Sequence, residues 1–266
     1  MNTTIKTITV FFAIIFLVSC AKVPLTGRKQ MKLLPNSEVM ALSLTSYKDF
    51  LAKNPPMPAS DVFTQKVKSV GQKISISVEK FMKQKGYADR VAGYKWEFNA
   101  VNSKEVNAWC MPGGKVVAYS GIWPVAKDDA GLAVVMSHEI AHAIAEHGNE
   151  RMSQQLALQV GAMGLDLALQ KQPELTRNIF LSSYGVGTNL GVLAYSREHE
   201  LEADRLGLIF MAMAGYDPER ALTFWQDMSK VGGAKPPEFL STHPSDQNRI
   251  AKVKKYLPEA KKYYKP

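Results

Sequence analysis

The sequence predicts an α+β fold, mostly helical with a small antiparallel sheet. Long stretches carry apolar residues at helical spacing, and between them residues 94–98 carry apolar residues at every second position, as a half-buried strand does. Two further short strands, predicted at residues 106–111 and 115–120, flank the turn Pro112-Gly113-Gly114, which predicts a hairpin. The chain has 266 residues, of which 46% are hydrophobic, and this is enough for one sizeable core.

The N-terminus reads as a targeting segment. Lys6 precedes an unbroken apolar run at residues 10–18, which is too short to span a membrane but suits the core of a signal peptide. The run ends beside Cys20, and this arrangement resembles the acylation signal of bacterial lipoproteins. The alternative is an ordinary signal peptide that happens to end near a cysteine. We therefore predict a signal peptide at residues 1–19 and a lipid on Cys20.

The resemblance to bacterial lipoproteins implies the outer membrane, because Ala21 and not Asp follows the cysteine; the expected location is therefore the cell envelope, as a periplasm-facing lipoprotein. Residues 20–35 are expected to form an extended tether, because Pro24, Gly27 and Pro35 discourage regular structure. Residues 36–266 then form a single domain.

Cysteine and charge content narrow the possible partners. If Cys20 carries lipid, Cys110 is the only other thiol and no internal disulfide forms; burial of Cys110 is favoured over pairing between chains. The net charge of +9 is concentrated at the two ends, which suits either an anionic membrane surface or solvated helix faces. Nothing in the sequence resembles a nucleic-acid-binding fold, so no nucleic acid is expected.

The first half of the domain begins with two helices. Apolar spacing predicts helices over residues 36–53 and 61–85, and alternation predicts a strand over 94–98. The two strands of the hairpin come next. A strongly helical run then starts after the N-cap candidates at 128–129 and is expected to stop at Gly148.

The second half is also helical. Residues 179–195 carry no charge, but their glycines favour a buried hairpin or a flap over a membrane span. A helix is predicted over 196–214, ending before Gly215, and the last helix begins near Pro244.

The central chemical signal is the run H-E-I-A-H at residues 138–142. A spacing of four places His138 and His142 on one face of a helix, one turn apart, so both imidazoles can bind one tetrahedral metal ion. Glu139 beside them is placed to take a proton from a water molecule on the metal. The alternative is a pair of surface histidines, but the flanking residues are apolar and predict a buried setting, where polar groups need partners.

A catalytic zinc site generally has a third protein ligand. Glu200 and Asp204 lie four apart and share a helix face, whereas Glu202 points away from both. This suits one carboxylate on the metal and one that orients a ligand imidazole. His147 and His199 are other possible ligands without a suitable context, and composition alone favours a solvated acidic face.

A family resemblance decides between these alternatives. The run H-E-I-A-H, followed by E-x-x-x-D at 200–204, resembles the zinc metallopeptidase family of the CAAX prenyl endopeptidases and HtpX-like peptidases, in its periplasmic lipoprotein branch. It implies a zincin-like metallopeptidase domain. The other segments that match are 24–30, Asn107-Ala108 with 112–114, 195–197, 214–218, and 242–244 with Arg249.

The resemblance implies one Zn²⁺ per chain, bound by His138, His142 and Glu200, with Asp204 behind a ligand imidazole. Two histidines and a carboxylate also suit zinc chemically. Glu139 would act as general acid and base.

The resemblance further implies that His243 and Arg249 sit near the scissile carbonyl and stabilise its oxyanion. A purely local interpretation of His243 is a hydrogen-bonded residue at a helix start. An extended substrate would lie along the strand that contains Asn107, Ala108 and Trp109.

Together these features predict a zinc-dependent endopeptidase that cleaves unfolded or misassembled cell-envelope proteins as quality control. Its partners would be extended polypeptides and, through the lipid anchor, a membrane; the oligomeric state stays open. The alternative is a mostly latent protease that acts as an assembly factor or chaperone, with His243 or the segment around 180–195 blocking the site. A purely structural zinc site is disfavoured, because such sites usually carry four protein ligands.

Overall fold

A computed structural model describes residues 20–160, 173–184, 195–231, 239–240, 243 and 249–265. The predicted signal peptide at 1–19 and most of the uncharged segment after residue 184 lie outside these ranges. Within them, the predicted fold class is confirmed: the chain is mostly helical, with one small three-stranded sheet and a separate two-stranded hairpin. No helix in these ranges is long and apolar enough to cross a membrane.

The segment predicted to be a tether contains a folded hairpin. Strands β1 (Cys20–Lys22) and β2 (Lys29–Met31) pair antiparallel, and Gly27 in the turn between them has a positive φ of 69°. Val23 in this turn is completely buried against the main core. Proline and glycine therefore mark a turn in this segment and not an extended tether. The hairpin packs on parts of the fold that are distant in sequence, and local sequence preferences cannot reveal such partners.

Two long helices follow where they were predicted. Helix α1 spans Asn36–Lys53 and helix α2 spans Val62–Gln84. Asp61 caps α2, since its side chain accepts a hydrogen bond from the Thr64 amide at 3.0 Å. A short 3₁₀ turn at Ala88–Arg90 leads from α2 towards the sheet.

The sheet is mixed and not wholly antiparallel. Strands β4 (Ala108–Met111) and β5 (Lys115–Tyr119) form the predicted hairpin, and both turn glycines, Gly113 and Gly114, have φ near 80°. Strand β3 (Glu97–Val101) pairs parallel to β5, so the strand order is β3-β5-β4. Alternating residues identify a strand but not its neighbour, which is why the parallel pairing was not expected.

The helix with the histidine pair begins as predicted but ends early. After the short α3 (Trp123–Ala126), helix α4 spans Asp129–Ile144, capped by Asp128, which accepts from the Gly131 amide at 2.6 Å. Glu146 then takes a left-handed φ of 58°, which interrupts the helix, and a separate helix, α5 (His147–Val160), begins at the next residue. Gly148, the expected stop, is therefore inside α5.

Four helices complete the described chain: α6 (Pro173–Ser183), α7 (Arg197–Met213), α8 (Arg220–Met228) and α9 (Arg249–Lys261). Ser196 caps α7 by accepting from the His199 amide, and Gly215 follows its end with a φ of 85°. Helices α4 and α7 pack closely through Gly207, which lies against the backbone at His138. This contact brings α4, which carries His138 and His142, next to α7, which carries Glu200.

Candidate metal centre

Four side chains converge in the buried space between α4 and α7. Each of His138, His142, Glu200 and His243 offers one ligand atom, and these atoms lie within 4.8 Å of one another. His138 Nε2 is 3.0 Å from His142 Nε2 and 3.4 Å from Glu200 Oε2, and His142 Nε2 is 3.3 Å from Glu200 Oε1. The predicted ligands therefore meet, although His142 and Glu200 are 58 positions apart in the chain.

These separations suit a metal ion. Ligand atoms about 2.0–2.1 Å from a tetrahedral zinc ion are about 3.3 Å apart. The imidazoles and the carboxylate are each at most 3% exposed, and a buried polar cluster of this kind needs a partner for its converging lone pairs. Two nitrogens and a carboxylate oxygen are the donor set that zinc prefers.

The electrostatics favour an ionised Glu200 beside the histidines. Burial by itself raises the pKa of Glu200, but the charges of His243 and Arg249 and hydrogen bonds from the ligand histidines hold this pKa well below its usual value. Burial lowers the pKa of His142 well below its usual value, which favours the neutral ring that a metal needs. For His138, burial is outweighed by hydrogen bonds with Asp204 and Glu200, which raise its pKa to about 9, so a bound cation would displace a proton there.

Glu139 has the surroundings of a general base. Its carboxylate is buried, and burial raises its pKa above the usual value against the opposing charges of His243 and His138. Glu139 Oε1 has no hydrogen-bond partner among the described side chains and lies 3.4 Å from His243 Nε2. An oxygen in this state is available to a water molecule or a substrate.

His243 is closer to the metal group than its local sequence indicated. Its Nδ1 lies 3.0 Å from Glu200 Oε1 and 3.3 Å from His138 Nε2, and its ring stacks on Phe239. Thr242 and Pro244, which carried part of the resemblance, lie outside the described residues. The structure thus makes His243 a possible fourth ligand, in addition to the oxyanion role implied by the resemblance.

Asp204 and Arg249 form a support behind the ligands. Asp204 Oδ1 lies 3.0 Å from His138 Nδ1, as expected for a carboxylate that orients a ligand imidazole. Arg249 binds both oxygens of Asp204, at 2.9 and 2.7 Å, and its Nη1 is 3.2 Å from Glu200 Oε2. The guanidinium also stacks 3.5 Å above the ring of Trp225.

The predicted substrate strand lies next to the metal helix. Strand β4 packs against α4, and in the described parts of the chain it has a strand neighbour on one side only, namely β5. Asn107 caps the start of β4 by accepting from the Ala108 amide at 2.8 Å, and Trp109 Nε1 donates to the Tyr119 hydroxyl. Cys110 on the same strand is a free, buried thiol, as expected.

Several residues near the metal group make contacts that the sequence did not indicate, among them His147, which lies outside the group of potential ligands. The Tyr195 ring stacks on His142 with centroids 3.9 Å apart, and His147 Nδ1 lies 2.9 Å from His142 Nδ1. Arg28 of the N-terminal hairpin reaches two buried carboxylates, Glu150 and Glu202. Arg28 falls within the matching segment 24–30, and that match was the signal that could have drawn attention to it.

A buried H-E-x-x-H helix joined by a carboxylate from a second helix defines a metallopeptidase-type site. The comparison with known proteins makes the class specific: residues 68–257 match Peptidase family M48, which is more than half of the chain. The chain belongs to this family of zinc metallopeptidases. The predictions of a zinc metalloendopeptidase class and of a zinc cofactor are therefore confirmed, whereas the periplasmic lipoprotein branch is not specifically indicated.

Three relatives show how far the similarity extends. The chain is 38% identical to the mitochondrial metalloendopeptidase OMA1 of Schizosaccharomyces pombe, over 62% of this chain and 48% of that protein. It is 29% identical to the OMA1 protein of Bos taurus, over 94% and 48%. It is 31% identical to the beta-barrel assembly-enhancing protease of Escherichia coli, over 59% and 33%. The chain thus spans about half or less of the length of these relatives.

The comparisons contradict the predicted location. Relatives in fission yeast, baker's yeast, Arabidopsis thaliana and cattle are all named as mitochondrial proteins, so the prediction of a periplasm-facing lipoprotein in the outer membrane is wrong. The physical reason is that a short apolar run behind a lysine reports only insertion into some membrane. It carries no address for a particular compartment.

Proposed function

We propose that this chain is an endopeptidase that uses one zinc ion to cleave unfolded or misassembled polypeptides as part of protein quality control. The observation that carries the proposal is the convergence of His138, His142 and Glu200 on one point, with the unpartnered oxygen of Glu139 beside them. The zinc ion would polarise the substrate carbonyl and lower the pKa of a water molecule towards about 7.

Side chains of the protein would carry out the proton transfers and stabilise the oxyanion. Glu139 takes the proton of the attacking water and delivers it to the leaving amine, and burial, which raises the pKa of Glu139, makes its carboxylate a stronger base for the first of these transfers. His243, whose Nε2 lies near Glu139, donates a hydrogen bond to the oxyanion. Arg249 holds Asp204 and Glu200 and adds positive charge beside the same carbonyl.

The substrate is proposed to add to β4 as an extended strand. Backbone groups of Asn107, Ala108 and Trp109 would supply the hydrogen bonds, and β4 has an open side in the part of the sheet that the structure describes. Recognition through main-chain groups tolerates many sequences, so unfolded or loop segments are the expected substrates.

Membrane attachment through a lipid on Cys20 stays a prediction from the sequence, without a compartment attached to it. Its test is metabolic labelling with a radioactive fatty acid. Label on the wild-type chain and not on Cys20→Ser would support the attachment, and equal labelling of both chains would contradict it.

The proposed activity is tested by digestion of casein with the Cys20→Ser chain and with a Cys20→Ser chain that also carries Glu139→Gln. The second protein keeps every metal ligand and loses only the proton-transfer group. We expect cleavage by the first protein alone, with equal zinc content in both. Cleavage by the Glu139→Gln protein would contradict the assigned role of Glu139.

One observation favours a second candidate function. His243 belongs to the same group of potential ligand atoms as the three predicted ligands, so it can occupy the position that a substrate needs. The chain would then be a mostly latent protease that acts as an assembly factor or chaperone. Absence of cleavage by the zinc-loaded chain, together with cleavage by His243→Ala, would support latency; inactivity of His243→Ala alone would support the oxyanion role.

A further inference from the structure

The two ligand histidines differ in what stands behind them. The nitrogen of His138 that faces away from the metal group, Nδ1, contacts the Asp204 carboxylate. The corresponding Nδ1 of His142 instead contacts another imidazole, Nδ1 of His147, at 2.9 Å. His147 is completely buried, and its Nε2 lies 3.2 Å from Glu202 Oε2.

The donor and the acceptor in each of these hydrogen bonds follow from which ring nitrogen must keep a free lone pair for the metal ion. His142 must present the bare Nε2 to a metal ion, so its proton is on Nδ1 and is donated to His147. His147 therefore accepts on Nδ1, carries its own proton on Nε2, and donates it to Glu202. With both imidazoles neutral, only this placement of the protons satisfies both contacts. It forms a chain of hydrogen bonds from the metal ligand His142 through His147 to Glu202, two residues after Glu200.

Glu202 is in turn fixed by the N-terminal hairpin. Arg28 Nε donates to Glu202 Oε2 at 2.7 Å, and the Thr26 hydroxyl donates to Glu202 Oε1. The same guanidinium makes a two-pronged contact with Glu150 on α5, at 2.9 and 2.8 Å. Arg28 thus holds together α7, which carries Glu200, and α5, which carries His147.

We propose that Arg28 is a positioning residue of the metal centre, which acts on His142 through Glu202 and His147, and that the hairpin of residues 20–31 is therefore part of the catalytic unit. The inference rests on the zinc site of the proposed function but not on proteolysis. Loss of an outer hydrogen-bond partner typically weakens metal binding by about 10–100-fold. Removal of Arg28 should fall at the lower end of this range, because it acts through two intermediate residues.

A simpler role for Arg28 would be attachment of the hairpin alone. Lys32 provides a matched control, because it also reaches from the N-terminal segment to a carboxylate between α4 and α5, Glu146, at 3.0 Å. Glu146 keeps a second cation, Arg90 at 3.3 Å, and, although it precedes His147 in the chain, its side chain makes no hydrogen bond or ion pair with His142 or His147 among the described contacts. Arg28→Gln and Lys32→Gln remove the same charge, but only the first interrupts the path to His142.

The experiment measures zinc affinity by competition with a chromophoric chelator, with thermal unfolding of each variant beside it. We expect affinity to fall about tenfold in Arg28→Gln and to stay within about twofold of wild type in Lys32→Gln. In a His147→Phe background, Arg28→Gln should have no further effect, because the path is already broken.

Three results would overturn the proposal: wild-type affinity in Arg28→Gln, an equal loss in Lys32→Gln, or an undiminished effect of Arg28→Gln in the His147→Phe background. If Arg28→Gln does not fold, Arg28→Lys takes its place, since lysine keeps the charge but cannot bind both carboxylates in the same geometry. Its expected loss is several-fold, and wild-type affinity again counts against the proposal. Zinc affinity is measured without any substrate, so a failure of the casein assay leaves this test intact.

Discussion

Replacement of Gly207 by alanine should weaken zinc binding by forcing apart the two helices that carry the ligands. A Cβ atom at Gly207 would lie 3.1 Å from the His138 amide nitrogen and 3.2 Å from the Ser137 carbonyl carbon. Ordinary contacts between such atoms lie at about 3.5–4.0 Å, so α7 and α4 must separate locally by roughly half an ångström. The obstacle is helix backbone, which cannot rotate aside as a side chain can.

The metal site is sensitive to a movement of this size. His138 Nε2 on α4 and Glu200 Oε2 on α7 lie 3.4 Å apart, and metal–ligand distances tolerate deviations of about 0.2 Å. We expect zinc affinity to fall by about tenfold or more, as for loss of a supporting contact. Overpacking costs about 1–3 kcal/mol, and the higher helix propensity of alanine offsets about 1 kcal/mol of it, so the unfolding temperature should fall only slightly.

Competition with a chromophoric chelator measures the zinc affinity, and calorimetry measures unfolding. Gly71→Ala is the matched control, because its Cβ would lie 2.3 Å from the Phe98 ring, between α2 and β3 and away from the metal ligands. That variant should lose stability while its zinc affinity stays within about twofold of wild type. Unchanged affinity in Gly207→Ala, or an equal loss in Gly71→Ala, would refute the reasoning.

The remaining predictions concern buried carboxylates. Glu200→Ala should lose its zinc on purification, whereas Glu202→Ala should still hold one zinc ion at saturating metal because Glu202 is outside the ligand group; elemental analysis showing the reverse would reassign the ligand. Asp204→Asn should weaken zinc binding by about 10–100-fold, since the amide no longer accepts as strongly from His138, and competition with a chelator at neutral pH checks this. Burial would raise the pKa of Glu150, but hydrogen bonds from His199 and Arg28 lower it to about 2, so its ionised form stabilises the fold above about pH 4.5 and loses this effect as the pH falls towards 2. In metal-free protein the gap in unfolding free energy between wild type and Glu150→Gln should therefore narrow by about 1 kcal/mol or more between pH 6 and pH 3.5; urea titrations that give a constant gap would contradict the shift.

The local features of the fold could be predicted from the sequence. Helix α1 has the predicted bounds, and Asp61, Asp128 and Ser196 cap helices near the positions where the sequence placed helix starts. The β4–β5 turn forms as the Pro-Gly-Gly sequence indicated. These features depend on residues within a few positions of one another, and the backbone dihedral preferences of those residues act locally.

The core of the metal site also followed from the sequence, partly through spacing and partly through resemblance. A separation of four residues puts His138 and His142 on one face of any helix, with no need of tertiary structure. Glu200 was different, because helix geometry showed only that it shares a face with Asp204. The family resemblance singled it out, and the packing of α7 on α4 brings it to the histidines.

Only the tertiary structure decided the contacts between segments that are distant in the sequence. The parallel pairing of β3 with β5, the approach of His243 to Glu200 and the reach of Arg28 to Glu202 each join residues that local patterns cannot relate. Arg28 is 174 positions from its carboxylate, and a basic residue in a Pro- and Gly-containing segment looks the same whether that segment is free or bound. The sequence by itself therefore determined which groups can hold the metal, whereas the packing of the helices determined which other groups surround it, because burial and charge pairing arise only when distant parts of the chain meet.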